Sequence, residues 1–241
     1  MERVYHKWYS PVLGRDMELL VFGHSGIPVI FFPTRSAHFY DFENWKVIDA
    51  LKTKINGGLL QIYCVDSIDC ESFYSKSAPA SRILRHIQYE KYILSELIPF
   101  IKNSNPEDRL IVAGCSLGGY HAVNIAFRHP TLFTKVVGMS ARYDLTINLP
   151  YFDDLFDGYR DENIYFNMPN HFVPQLSEPR ILKELRKMKI ILAVGQEDSF
   201  LNNNEQLSDA LKKINVSHDL HIWQEEAHRP FYWRQMVQLY L

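Results

Sequence analysis

The string Gly114-Cys115-Ser116-Leu117-Gly118-Gly119 restricts this chain more than any other feature. It joins a short apolar run, 110–113, to a helical pattern that continues over 121–129 and stops at Pro130. A serine between two such glycines fits a sharp strand-to-helix turn, in which the missing β-carbons of Gly114 and Gly118 allow close approach. The serine oxygen then sits at a helix N-terminus, where free N–H groups and the helix dipole favour negative charge. A glycine-rich turn with an N-capping serine would share the pattern. A phosphate loop would not, because no Gly-Lys-Ser/Thr string follows and no dinucleotide spacing of glycines precedes it.

The rest of the chain supplies a setting for that turn. Residues 4–10 and 17–22, around Gly14-Arg15-Asp16, read as an antiparallel hairpin. The runs 28–32, 59–65, 110–113, 135–139 and 190–194 are apolar, the mark of strands buried on both faces. Residues 218–223 form a further strand. Helices are expected over 41–54, 80–102, 202–213 and 230–241, the second showing Ile83, Ile87, Tyr92, Leu94, Leu97 and Ile98 on one face. This alternation means an α/β fold: a mostly parallel sheet covered by helices on both faces, with the antiparallel hairpin at its N-terminal side.

No repeat or linker divides residues 1–241, so a single domain is expected. Residues 141–187 break the rhythm. They carry Tyr143, Tyr151, Phe152, Phe156, Tyr159, Tyr165 and Phe166 without a clear period. They read either as a cap-like insertion or as a loop with short helices that covers the core.

Composition narrows the partners. The chain is 46% hydrophobic and 22% charged, with a net charge of −2, so nothing points to nucleic acid or an anionic membrane surface. The first ten residues lack the apolar run of a secretory signal, and 28–32 is far too short to cross a bilayer. Cys64, Cys70 and Cys115 are odd in number and lack metal-ligand spacing, which fits reduced thiols and a cytoplasmic setting. A homo-oligomer is left open.

A serine hydroxyl is a poor nucleophile unless a base takes its proton and a carboxylate orients that base. On a parallel sheet of this kind the expected order is serine, then acid, then histidine, each after a strand. Asp198 follows the strand 190–194, within Gly195-Gln196-Glu197-Asp198. Glu197 is its rival, and Asp209 falls within a helical pattern. Among ten histidines, His228 alone has the required order and loop position. His218 and His221 lie in a strand on opposite faces, His121 and His129 in the helix behind the serine, His86 and His6 on expected surfaces. His24 and His38 fall in loops. Leu117, directly after the serine, is a natural oxyanion donor through its backbone N–H.

These strings resemble the esterase family related to esterase D, which includes S-formylglutathione hydrolases, polyhydroxyalkanoate depolymerases and mycolyltransferases. Besides the serine turn, the Gly195–Asp198 loop and Ala227-His228, the segments 65–74 and 88–99 are similar to that family, and the likeness runs from about residue 28 to 233. It implies the α/β-hydrolase fold, with Ser116, Asp198 and His228 as a catalytic triad. Many members carry His-Gly after the first buried strand, where this chain has Pro33-Thr34-Arg35. Proline has no N–H to donate, so Thr34 or Arg35 would complete the oxyanion hole.

The expected activity is hydrolysis of a small-molecule carboxylic ester through an acyl-enzyme, without a cofactor or metal. Tyr232 and Trp233, next to His228, are expected in an apolar acyl pocket. Acyltransfer and thioester cleavage use the same chemistry. A weakly active or inactive binding protein, with Arg35 holding an anionic ligand, is the other reading.

Overall fold

A computed structural model describes residues 1–241. Its centre is an eight-stranded sheet in the order β1-β2-β4-β3-β5-β6-β7-β8. The strands are β1 (Arg3–Ser10), β2 (Arg15–Phe22), β3 (Ile27–Phe32), β4 (Leu60–Val65), β5 (Ile111–Cys115), β6 (Lys135–Met139), β7 (Lys189–Gly195) and β8 (Asp219–Trp223). β1 and β2 pair antiparallel, β2 runs antiparallel to β4, and all later neighbours are parallel. The expected mixed sheet is therefore present, and its fold is that of the α/β-hydrolases.

Burial follows the two-residue period of extended chain. In β3, Ile30 and Phe32 join the core on one face, while Val29 and Phe31 join the core on the other. On the second face Phe31 stacks on Phe42 with ring centroids 4.0 Å apart. The edge strands β1 and β8 are largely exposed or half-exposed, and the polar and charged residues there discourage pairing with another chain.

Two expected helices differ in detail. The segment 41–54 forms three short pieces, Asp41–Asn44, Val47–Ala50 and Lys52–Asn56, broken first at Lys46, which takes a left-handed backbone with φ 61°, and again at Leu51, with φ −95° and ψ 0°. Phe42, Val47, Ile48 and Ile55 still reach the core. The segment 80–102 is helical from Pro79 to Ser104, but Ile93–Leu97 widens into a π-turn. Pro99 accounts for this: it has no N–H for the carbonyl of Ser95, and its ring crowds that carbonyl. The helix after the serine begins at once, Leu117–Arg128.

His86 also departs from expectation. It is 3% exposed and stacks on Phe73 at 4.7 Å. Burial, with His121 nearby, pushes its pKa down to about 3, so the ring is neutral. Its helix packs against Leu117–Arg128 as well as the segment after β6, and so buries a wider face than its apolar residues suggest.

Glu90, on the same helix, accepts from Arg128 Nε at 3.0 Å and meets His129 Nε2 at 3.0 Å. Burial alone would raise its pKa, but His129 and Arg128 outweigh this and lower it from 4.5 to about 2. Stabilisation by a carboxylate with a depressed folded pKa is complete above its unfolded value and is lost as pH falls through the folded one. Stability from this group is thus expected to fall between pH 4.5 and about 2. Its full worth is roughly 3 kcal/mol. Urea unfolding of Glu90→Gln at pH 7 is expected to show a loss of that order, with a flatter pH dependence in the same window. An unchanged pH profile would show that the pair contributes nothing.

Candidate active site

The serine turn is built by close backbone contacts. Ser116 takes φ 55° and ψ −124°, a strained conformation for a residue with a side chain, and Leu117 starts the helix directly after it. A β-carbon on Gly114 would lie 2.2 Å from Gly118 C and O, and one on Gly118 would lie 2.1 Å from Phe32 O and 2.5 Å from Pro33 O. One on Gly119 would meet Ala141 Cβ at 2.7 Å. All three positions therefore demand glycine. The turn is pressed against the end of β3 and anchored to β6 by Ser116 N–H donating to Met139 O at 2.8 Å.

Asp198 and His228 meet this serine from the loops after β7 and β8. His228 Nε2 lies 3.0 Å from Ser116 Oγ, and Nδ1 lies 2.8 Å from Asp198 Oδ2. An ionised carboxylate only accepts, so Nδ1 carries the proton and Nε2 is free to accept from the serine hydroxyl. Asp198 is 6% exposed, and its other oxygen accepts the Phe200 N–H at 2.9 Å. Glu197 is exposed, and Asp209 is occupied with Lys212 at the surface. The two loops are laced together: Gln196 N–H donates to Trp223 O at 2.8 Å and Glu197 N–H to Glu225 O at 3.1 Å. Gly195 permits that approach, since a β-carbon there would lie 2.0 Å from Glu226 O.

The imidazole has an aromatic seat, with Phe200 at 5.3 Å and Trp233 at 5.9 Å in edge-on contact. Ser140, which no sequence signal marked, steadies it from behind. Its Oγ donates to Ala227 O at 2.9 Å and accepts from Trp233 Nε1 at 3.2 Å, while its N–H reaches Ala193 O at 2.7 Å. Ser140 thus ties the end of β6 to β7 through its N–H, and to Ala227 and Trp233 through its hydroxyl. Ser140→Ala leaves a buried indole N–H without its acceptor, so a loss of about 1–3 kcal/mol in unfolding free energy is expected in a urea titration. A change within experimental error would mean that the tie is replaceable.

The serine opens into a cavity of about 280 Å³, lined by Thr34, Arg35, Tyr74, Ser116, Leu117, Arg142, Leu145, Phe152, Phe200, His228 and Trp233. Leu117, as first residue of a helix, has no intrahelical acceptor for its N–H. Thr34 and Arg35 also donate their N–H groups to no protein acceptor. They precede a tight turn in which Ala37 N–H returns to Thr34 O at 3.1 Å and Ser36 N–H reaches Asp69 at 3.3 Å. The three expected backbone donors therefore border one cavity.

Of the expected pocket pair, only Trp233 lines this space. Tyr232 turns to the surface, where its hydroxyl meets Glu225. Neighbours in a helix point about 100° apart, so both could not face the serine. Of the seven aromatic residues between 141 and 187 singled out above, only Phe152 reaches the cavity, while Tyr143 and Phe156 are core and Tyr151 is exposed. His24 and His38 lie outside it, His38 beside Asp66 at 3.1 Å. Cys115, next to the serine, faces the opposite core, and burial pushes its thiol pKa up, so it is inert.

Solved structures similar to this one include esterases and serine hydrolases. A ferulic acid esterase superposes with a TM-score of 0.79 at 18% identity, covering 99% of this chain and 95% of the other. An S-formylglutathione hydrolase from Agrobacterium tumefaciens gives 0.75 at 16%, covering 98% and 91%. The fluorophosphonate-binding serine hydrolase F of Staphylococcus aureus gives 0.73 at 18%, covering 99% and 96%. No curated protein matches by sequence. Residues 10–235 match the family described as "Putative esterase". The chain therefore belongs to that esterase family, as a carboxylic-ester hydrolase with the α/β-hydrolase fold.

Proposed function

We propose that the chain cleaves carboxylic esters through an acyl-enzyme on Ser116, with His228 as base and Asp198 as its orienting acid. The unbroken line of hydrogen bonds from Asp198 through His228 to Ser116 carries this reading. Ser116 Oγ attacks the acyl carbon while its proton passes to His228 Nε2. The imidazolium keeps its Nδ1 proton directed at Asp198, whose buried charge stabilises it. The tetrahedral oxyanion takes hydrogen bonds from Leu117 N–H and from Thr34 or Arg35 N–H, each worth about 3 kcal/mol in comparable sites. Collapse breaks the bond to the leaving alkoxide oxygen, which receives the proton from Nε2. Water then repeats the sequence to release the acid.

These steps use only the chain's own groups and water. Residues 141–187 act as a partial cap, contributing Arg142, Leu145 and Phe152 to the cavity wall. Three unpaired cysteines, of which only Cys70 is exposed, fit a cytoplasmic setting. No helix is long and apolar enough to cross a membrane.

A fluorophosphonate probe, followed by mass spectrometry, tests the nucleophile directly. Labelling at Ser116 in the wild type, together with turnover of p-nitrophenyl esters, is expected. No labelling and no turnover across a series of acyl lengths would rule the reading out.

A further inference from the structure

The cavity beside Ser116 carries an unbalanced charge. Arg35 and Arg142 line it, whereas no carboxylate does. Asp198 stands behind His228 with a side chain only 2% exposed, and Asp69, near Tyr74, is buried with His121 at 3.3 Å and the Ser36 N–H at 3.3 Å. Leu117, Leu145, Phe152, Phe200 and Trp233 make the remaining wall apolar.

Arg142 is 4% exposed and is held by backbone carbonyls rather than by an acid. Nε donates to Asp144 O at 2.8 Å, Nη1 to Asp153 O at 3.1 Å, and Nη2 to Asp153 O at 3.1 Å and to Ile147 O. Four of its five N–H groups are used, and one on Nη1 is left without a protein acceptor. The acids around it are committed elsewhere. Asp144 serves Thr146 at 2.6 Å and His171 at 2.9 Å, and Asp154 serves Arg160 at 3.0 Å and the N–H groups of Phe156 and Gly158. Asp153 is itself exposed and offers its carbonyl. Burial accordingly lowers the pKa of the guanidinium, and Tyr74 is the ionisable neighbour it feels most.

Tyr74 also links Arg142 to Arg35. The Arg35 guanidinium rests over the Tyr74 ring, 5.6 Å from its centroid, and forms no ion pair. Burial raises the Tyr74 pKa, and the positive fields of Arg35 and Arg142 work against that rise. The two cations thus flank one phenol on one side of the cavity. Asp144, Asp153 and Asp154 lie near Arg142 but none pairs with it, and a buried cation hydrogen-bonded only to neutral carbonyls is in a costly state that an incoming anion relieves.

We propose that this site takes esters that carry a free carboxylate, held by the Arg35 fork beside the Tyr74 ring in the field of Arg142, with the apolar part against Phe152, Phe200 and Trp233. The proposal rests on Ser116 being the nucleophile. A planar two-oxygen anion suits the planar guanidinium donors, and its pairing fixes the ester relative to Ser116.

The test compares matched esters in the same protein sample. One pair differs on the acyl side, p-nitrophenyl hydrogen adipate against p-nitrophenyl hexanoate. The other differs on the leaving-group side, 4-acetoxybenzoate against 4-acetoxybenzamide. In at least one pair the anionic ester is expected to have a kcat/KM about tenfold higher or more, since charge-assisted hydrogen bonds are the strong ones. Arg35→Ala is expected to bring that ratio close to one and Arg35→Lys to keep part of it. Raising the salt concentration is expected to shrink it as well. Arg35 is exposed, so its replacement does not endanger folding. A wild-type ratio of one or less in both pairs, or a preference untouched by Arg35→Ala, would overturn the proposal. Turnover of the neutral esters and its loss in Ser116→Ala report on the nucleophile alone, so the two ideas fail separately.

Discussion

Replacing Ser116 by alanine is expected to lower kcat for a neutral p-nitrophenyl ester by roughly 10⁴- to 10⁶-fold, leaving only what binding and the oxyanion donors supply. No nearby group substitutes for its oxygen. Cys115 points into the opposite core with its thiol held protonated, and the Ser140 hydroxyl is committed to Ala227 O and Trp233 Nε1. The fold is expected to survive. Alanine takes the same φ of 55°, a strain that serine already bears, and gives up one hydrogen bond to His228, which costs about 0.5–1.5 kcal/mol. Steady-state kinetics with a thermal melt separate the two effects. Residual turnover within about tenfold of wild type would place the nucleophile elsewhere.

Gly118→Ala is expected to damage both fold and activity for a different reason. The added β-carbon would sit 2.1 Å from Phe32 O and 2.5 Å from Pro33 O, both backbone atoms at the end of β3. No side chain can rotate away, so the serine turn must separate from β3. A loss of stability of about 3 kcal/mol or more is expected. The folded fraction is also expected to lose about 10²-fold in kcat/KM, because a 1 Å displacement of reacting groups costs that much. Gly14→Ala is the control. Gly14, unlike Gly118, has a positive φ, 67°, and nothing lies within 4 Å of its β-carbon position. Its replacement is expected to cost only the left-handed backbone penalty, about 1–2 kcal/mol, with unchanged kinetics. Equal losses in the two variants would show that crowding at β3 is not the cause.

The two glycines also show what can be read before folding is known. That Gly114 and Gly118 flank a sharp strand-to-helix turn around Ser116 follows from local chemistry, since few backbones bring a strand so abruptly into a helix. The strands were legible because five of them are apolar on both faces. The helices at 41–54 and 80–102 were legible as helices but not in their interruptions. Lys46 and the Ile93–Leu97 turn answer to packing and to Pro99, not to the apolar period. His86 was misplaced for a related reason: its polar ring is covered by segments that approach from far along the chain.

The sequence by itself determined the mixed sheet, the serine turn and the order Ser116, then an acid after β7, then His228. These depend on backbone geometry within a few residues and on the order in which strands deliver their loops to one edge. Only the tertiary structure decided that Asp198 rather than Glu197 meets His228, that Trp233 and not Tyr232 faces the serine, and that Ser140 ties the site together. It alone brought Arg35, Tyr74 and Arg142 to one side of the cavity. The physical reason is range. A glycine's freedom acts where it stands, whereas side-chain direction, burial and uncompensated charge depend on what distant segments place opposite.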